Sequence, residues 1–344
     1  MYKNKISIII PVYNAEKYIK QCLNSIITQT IHDIEIICID DCSTDNSLKI
    51  LKEYALKDNR IKIIEQKVNQ GQGVGRNEAI KITEGEYIGF VDPDDWIEPN
   101  MYKEMYNKAK EFDTDIVTCN IERFFENSSQ VDHIDTIKKI SKIDKTIKSG
   151  VVFNFKKTEK EFLARTNNFA WCRIYRRELV TKYDIRFAPI RTGEDKLFCC
   201  LAKLLADKII HIDKEFYHYR AHRTKQFIKN EHQDIMCLSL INEIYLHNPS
   251  KEIKEGIIDF LSIMCTNQYK QLTTAERKKF YRDCTNYLPY NSFKKFKKNV
   301  KRIHFKQIIH YIFSTRKIIK NGAIYKYIYI LGFKFEIKTK RDNK

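Results

Sequence analysis

The chain has 344 residues, 43% of them hydrophobic and 31% charged, with only ten Gly and six Pro. That balance excludes wholesale disorder and fibrous repeats, and the length exceeds the ~250–300 residues at which single cores stop growing, so two domains or a domain with a long appendage are expected. The net charge of +18 is uneven: residues 294–344 hold 16 Lys/Arg against Glu336 and Asp342, a net of +14. Such a charge concerns a surface partner rather than the fold.

In chain order, Ile6 to Val12 is a buried strand of β-branched residues that ends at Pro11. Ile19, Cys22, Leu23, Ile26 and Ile27 recur at helical spacing. Ile34 to Ile39 is a second strand, followed at once by Asp40-Asp41-Cys42-Ser43-Thr44-Asp45 and a helix over 46–56 capped by Asp45. Ile61 to Ile64 is a third strand, a helix runs from near Gly75 to Thr83, and Tyr87 to Val91 is a fourth strand ending in Asp92-Pro93-Asp94-Asp95. This alternation predicts an α/β fold with a mostly parallel sheet, in which ligands bind beyond the C-terminal strand ends. Tyr13 and both Asp clusters fall there.

Further on, residues 101–112 form an amphipathic helix and 116–119 a strand, and 126–150 read as a polar loop. Residues 171–183, 195–205 and most of 226–290 read as helical. No stretch approaches the ~18 apolar residues of a spanning helix. The N-terminal apolar segment is too short for a signal peptide, which predicts a cytoplasmic protein. The ten Cys are scattered without a Cys-x-x-Cys pair, so reduced buried thiols are expected.

Asp92-Pro93-Asp94-Asp95 is the sharpest chemical signal. Two carboxylates 4 Å apart repel by about 4 kcal/mol at an effective dielectric of 20. A cation of the Mg²⁺ or Mn²⁺ kind, completed by a substrate phosphate, offsets that repulsion; a solvated turn with Asp95 capping the next helix is the alternative. Asp41 suits hydrogen bonding to a nucleoside, or helix capping. Tyr13 suits stacking on a base, or packing at a rim. Gly71-Gln72-Gly73-Val74-Gly75-Arg76 lacks both the third Gly of a dinucleotide loop and the Gly-Lys-Ser/Thr of a P-loop, which leaves Arg76 as a pyrophosphate contact. Glu194 and Asp195 precede a helix and suit a general base with its orienting partner, or N-terminal capping. His218-Tyr219-Arg220-Ala221-His222-Arg223 suits closure over phosphates, and without His-Glu-x-x-His it does not suggest zinc hydrolysis.

Taken together, Ile8-Ile9-Ile10-Pro11-Val12-Tyr13-Asn14, Ile39 to Asp45, Asn69-x-Gly71, Arg76-Asn77, Gly85 to Asp95, Trp171 to Tyr175, Arg186-Phe187 and Gly193-Glu194-Asp195 resemble a family 2 glycosyltransferase with the glycosyltransferase-A fold. The resemblance is dense over 5–100 and thinner to about 224. It implies a catalytic domain over 1–225, with a nucleotide-sugar half (1–100) and an acceptor half (101–225). Residues 226–344 would then be a helical C-terminal region. By resemblance, Pro11, Tyr13 and Asp41 hold the uracil and ribose of a UDP-sugar, and Asp92 contacts ribose or metal. Asp94 binds Mn²⁺ or Mg²⁺ across the diphosphate, with His222 a further metal candidate. Asp195 is the general base of an inverting displacement, with Glu194 secondary. Pro93 stands where a small polar residue is commoner, and the usual Ser after the Tyr-Arg segment is absent.

The implied partners are a UDP-sugar donor and a glycan or lipid-linked glycan acceptor of lipooligosaccharide or capsule type, with no nucleic acid. Two other readings compete: a basic peripheral protein that binds nucleic acid or membrane, and a sugar-nucleotide pyrophosphorylase. The first lacks a recognised nucleic-acid motif and the second lacks an N-terminal Gly-rich, Lys-containing loop. Residues 294–344 interleave aromatics with Lys and Arg. They are expected to lie on an anionic membrane surface, at the inner face of the cytoplasmic membrane, rather than to form a solvated tail.

Overall fold

In the computed structural model, Asn4–Val12 forms strand β1, with Ile6, Ile8, Ile9, Ile10 and Val12 all buried. A strand apolar on both faces needs cover on both, which places it in the middle of a sheet flanked by helices. The structure describes residues 2, 4–126, 130–136, 147–154, 169–189 and 193–221, scattered helical positions from 258 to 301, and the backbone of 313–320, 323–330 and 333–338. Two compact units are defined, Met1–Phe260 and Leu261–Lys344. The expected boundary at 225/226 lies outside the described residues.

The first unit follows the expected alternation through its first half. α1 (Ile19–Ile27), β2 (Ile34–Asp40), α2 (Ser47–Ala55), β3 (Ile61–Glu65), α3 (Gln72–Lys81) and β4 (Gly85–Phe90) succeed one another. β1 pairs in parallel with β2 (Ile8 opposite Ile36) and with β4 (Ile8 opposite Gly89), and β2 pairs in parallel with β3. Parallel pairing brings the C-terminal ends of β1, β2 and β4 to one edge. Gly89 is required in β4, because a Cβ there would stand 2.7 Å from the buried Tyr102 ring.

The second half is mixed. β5 (Trp96–Ile97), α4 (Met101–Phe112), β6 (Ile116–Phe125), β7 (Val131–Ile134), β8 (Arg173–Arg176), α5 (Arg177–Lys182), α6 (Asp195–Leu205) and β9 (Ile209–Ala221) complete a nine-stranded sheet. Its order is β3-β2-β1-β4-β8-β6-β9-β5, with β7 on β6. β8 lies antiparallel between β4 and β6, so the helix expected over 171–183 is corrected: it starts only at Arg177. Pairing on both sides of β8 outweighs the helical periodicity of that segment. Within the polar loop expected over 126–150, residues 131–134 are strand β7.

In the second unit the described positions from 262 to 301 are helical, and Phe296 is buried against Tyr269 and Phe280. Beyond them the expectation of a helical region is corrected. β10 (Phe313–Lys320), β11 (Ala323–Ile330) and β12 (Phe333–Lys338) form an antiparallel three-stranded sheet. The sequence carries the reason: β-branched and aromatic residues dominate 323–330, and Asn321-Gly322, a hairpin dipeptide, separates β10 from β11. Among the described residues no helix is long and apolar enough to cross a membrane, and all nine Cys among them are free thiols.

Candidate active site

Three strand ends build the first wall. The Asp41 amide donates to Val12 O (2.8 Å), which locks the turn after β2 to the end of β1. The Asp41 carboxylate accepts from the Gln70 and Gly71 amides, each at 2.8 Å. Gly71 has φ +90°, a conformation other residues avoid, and it turns the chain into α3. Asp41 thus orders the entry to α3 instead of capping α2, whose first amide is taken by Asp45. Asp40 is buried beside it; Oδ2 accepts from the Ser43 amide, and Oδ1 has no partner among the described residues. Pro11 is buried, and Tyr13 stands 45% exposed at the rim just past β1. Asn14 ties this rim down by accepting the Thr44 amide (2.8 Å).

The second wall is the loop after β4, where Asp92 and Asp95, alike in sequence, have different environments. Asp92 is half-buried, and its Oδ1 accepts from Arg76 Nη2 at 2.6 Å. Burial pushes Asp92 up to about 6; Asp94 and Glu194 add to the rise and Arg76 opposes it. Asp95 is buried, with Tyr217 Oη donating to Oδ2 (2.8 Å) and the Arg220 amide to Oδ1 (2.8 Å). Burial and the neighbouring Asp94 and Asp92 hold its carboxyl well above the ordinary range. The same Tyr217 Oη accepts the Asp92 amide (3.0 Å), and Arg220 Nε donates to Asp94 O (2.9 Å). Two residues of β9 therefore clamp all three Asp positions. Asp95 does not cap the following helix.

The third wall is the start of α6. Glu194 Oε1 accepts from Arg76 Nη1 at 2.8 Å. The fork of Arg76, side chain 3% exposed, thereby joins Glu194 to Asp92, while its Nε is buried without a partner among the described residues. Asp195 follows Glu194 with part of its surface open to solvent. Burial and then Glu194 push its carboxyl up to about 7, with Arg76 opposing and Asp92 adding. The segment that delivers this pair is fastened to α3: Asn77 exchanges two hydrogen bonds of 2.9 Å with the Phe187 backbone, and the Ala188 amide donates to Glu194 O (3.1 Å). Gly73 permits the approach, since a Cβ there would stand 2.4 Å from Ala188 O.

Beneath the carboxylates lies an aromatic cluster. Phe90 meets Phe187 (5.0 Å) and Phe198 (5.3 Å) edge-on, and Phe187 stacks on Phe198 (4.3 Å) and under the Arg76 guanidinium (5.1 Å). Phe90 sits two residues before Asp92 and Phe198 three after Asp195, so apolar packing fixes both acidic segments.

The structure thus connects Asp195, Glu194, Arg76, Asp92, Asp94 and Asp95 in one electrostatic chain, next to the edge that carries Pro11, Tyr13 and Asp41. His222 lies outside the described residues, as does Arg223. His218 faces Glu98 (2.6 Å) and Glu122 (2.9 Å) and stacks on Trp96 (5.2 Å), on a strand rather than a helix. Sequence reasoning missed Tyr217 and the clamping roles of Asp95 and Arg220. Their only signal was the aromatic–cationic run from Tyr217 to Arg220.

These features define a glycosyltransferase of the glycosyltransferase-A architecture. The family model described as "Glycosyl transferase family 2" matches residues 7–184, and the chain belongs to that family. It is 32% identical over 294 residues to EpsH of Bacillus subtilis, covering 80% of each protein. It is 36% identical over 229 residues to the poly(ribitol-phosphate) beta-glucosyltransferase of Bacillus spizizenii, where the match covers 62% of this chain and 32% of that protein. Its fold is similar to that of Staphylococcus aureus TarS residues 1–349 in complex with UDP-GlcNAc, with a TM-score of 0.70 at 22% identity over 98% of this chain and 100% of that one.

Proposed function

We propose that this glycosyltransferase moves a sugar from a UDP-sugar to a hydroxyl of a bacterial surface glycan by a single inverting displacement, with Asp195 as the base. The observation that carries this reading is the carboxylate chain at the strand ends, in which Asp195 alone sits at about 7 with solvent access. A base poised near the working pH gives the best compromise between being deprotonated and being strong enough to take a proton. Glu194, held by Arg76, lies beside it and helps to raise its carboxyl.

The donor side rests on Asp41, the buried unpaired Oδ1 of Asp40 and the exposed Tyr13 ring. An acceptor oxygen buried without a partner is costly and calls for a donor, which a nucleoside N–H or hydroxyl supplies. Tyr13 stacks on the base and Pro11 closes the floor.

A divalent cation fits the donor set here. Asp92 and Asp94 supply hard carboxylate oxygens, and the rise that Asp94 imposes on Asp92 is relieved by a cation. Among the described residues no group of three or more His, Cys, Asp or Glu side chains is arranged to hold one, so substrate phosphates would have to complete the shell. Mn²⁺ or Mg²⁺ held by Asp94 and Asp92 would act as a Lewis acid toward the diphosphate. In the transfer, Asp195 takes the proton of the acceptor hydroxyl as its oxygen attacks the sugar C1 from the face opposite the departing diphosphate.

The relatives named for poly(ribitol-phosphate) favour a polymer as acceptor over a small metabolite. A screen of UDP-sugars for Mn²⁺-stimulated release of UDP tests the reading. UDP with an inverted glycosidic product supports it; pyrophosphate release or a retained anomer overturns it.

A further inference from the structure

The C-terminal sheet sorts its residues in a way the sequence composition conceals. Partners across an antiparallel ladder share a face, and successive residues along a strand alternate faces. In the observed register Tyr325 is opposite Lys338, Tyr327 is opposite Arg316, and Tyr329 is opposite Lys334. One face therefore carries a row of three tyrosines along the central strand β11, each with a cation opposite it on one outer strand; Ser314, Ile318, Lys320, Ala323 and Glu336 belong to the same face, with Ile318 opposite Tyr325 and Glu336 opposite Tyr327. The other face carries Phe313, Ile328, Ile330, Phe333 and Phe335, with Lys317 and Lys326.

We infer that the tyrosine–cation face of β10–β12 is a binding platform for a linear anionic glycan whose phosphodiester- or carboxylate-bearing units lie along β11. The proposal rests on the reading of this chain as a surface-glycan transferase and names the class of its polymer. The cations meet the anionic groups by charge-assisted hydrogen bonds. The tyrosines offer flat apolar rings with a polar tip, suited to the C–H faces and hydroxyls of sugar or polyol units. Their repeat is two residues, roughly 6.6–6.8 Å along the strand, so the platform matches a repeating ligand and not a point charge.

The register also argues against a lipid surface for this element. Interfacial segments bury Phe, Leu or Trp on one face and hold Lys and Arg at its border. Here every Phe, and every Ile except Ile318, is assigned by register to the face opposite the tyrosines, and an isolated three-stranded sheet needs that apolar face covered to be stable. By register the tyrosine face is mainly aromatic and cationic, with Ile318 and Glu336 the exceptions, within a segment of net +14. Holding a polymer on the same chain as the transfer site raises the effective concentration of its acceptor hydroxyls.

The test measures binding of the full chain to poly(glycerol phosphate), with dextran, anionic phospholipid vesicles and single-stranded DNA as comparison ligands. The Arg316→Gln/Lys334→Gln variant is compared with Lys317→Gln/Lys326→Gln, which loses the same charge from the other face. A Tyr327→Thr variant keeps strand propensity. Affinity for the polyphosphate is expected to fall roughly tenfold or more, with a shallower salt dependence, in the first variant, and to fall in Tyr327→Thr, while the second variant stays near the parent. Equal loss in both charge variants, no binding by the parent, or tighter binding to vesicles or DNA overturns the platform. UDP release from the donor in all three variants should match the parent. Its absence in the parent would strike the transferase reading instead, which keeps the two failures apart.

Discussion

Asp195 shows how one carboxylate of the site differs from its neighbours. Its carboxyl is held at about 7 by burial and by Glu194. The Asp195→Asn variant should lose kcat by about 10²–10⁴-fold, the usual share of a positioned base, with UDP affinity little changed; equal loss of UDP affinity would move Asp195 to the donor site. In the parent, kcat/KM should rise with pH through about 7 and then level, since a base in the proposed role acts deprotonated. The stability effect has the opposite sign. The folded form holds the proton more tightly than the unfolded chain, so the contribution is full below the unfolded pKa and is lost as pH rises through about 7. At pH 8 the Asn variant should therefore be more stable than the parent, by roughly 1–2 kcal/mol given the partial exposure of the side chain, which parallel melts at pH 5 and 8 will show. Arg76 behaves differently, because its charge is buried and paired twice. Arg76→Gln should cost about 1–3 kcal/mol, the scale for leaving hydrogen-bonded, partly buried groups unpaired, read by denaturant unfolding.

At the scale of elements, β9 controls the acidic loop. Tyr217 Oη both donates to Asp95 and accepts from the Asp92 amide, while its ring stacks on Trp171 at 4.2 Å. Tyr217→Phe keeps the stack and removes only the bridge. It should destabilise by about 1–3 kcal/mol, the cost of leaving buried polar groups unpaired, and raise the Mn²⁺ concentration needed for half-maximal rate with a smaller effect on kcat. An unchanged metal response would show that the clamp supports folding alone. This is also where sequence reading stopped short. In sequence Asp92, Asp94 and Asp95 look alike; only the pairing of β5 with β9, Trp96 opposite His218 and Ile97 opposite Tyr217, separates their roles. The run from β1 to β4 was legible because each element carries its own period and its own stop. β8 was not, because four residues, Arg173 to Arg176, have too little local pattern, and their partners lie more than 50 residues away. β10–β12 were masked by composition: attention to the density of Lys and Arg hid a period-two alternation and two Gly-containing breaks.

For the whole molecule, every candidate residue that the structure places lies in the unit Met1–Phe260, whereas most of the net charge lies in Leu261–Lys344. That separation makes ligand linkage informative. A ligand that binds only the folded site stabilises it by RT ln(1 + [L]/Kd), about 2.7 kcal/mol at a hundredfold excess over Kd. On the proposed function, UDP with Mn²⁺ should therefore raise the thermal midpoint of the site-bearing unit by several degrees, and UDP with chelator should raise it less, because the diphosphate would then meet Asp92 and Asp94 without a cation between them. In Asp94→Asn the difference between Mn²⁺ and chelator should vanish while the fold, judged by circular dichroism, is retained, and transfer should be abolished. If Asp94→Asn keeps both the Mn²⁺-dependent shift and the parental rate, the cation is not held at Asp94. An apolar-core effect would look different, lowering the midpoint equally with and without nucleotide. Following the signals of both units in one melt adds a further reading: a transition that moves with UDP belongs to the strand-end site, and one that moves only with added polyanion belongs to the C-terminal unit.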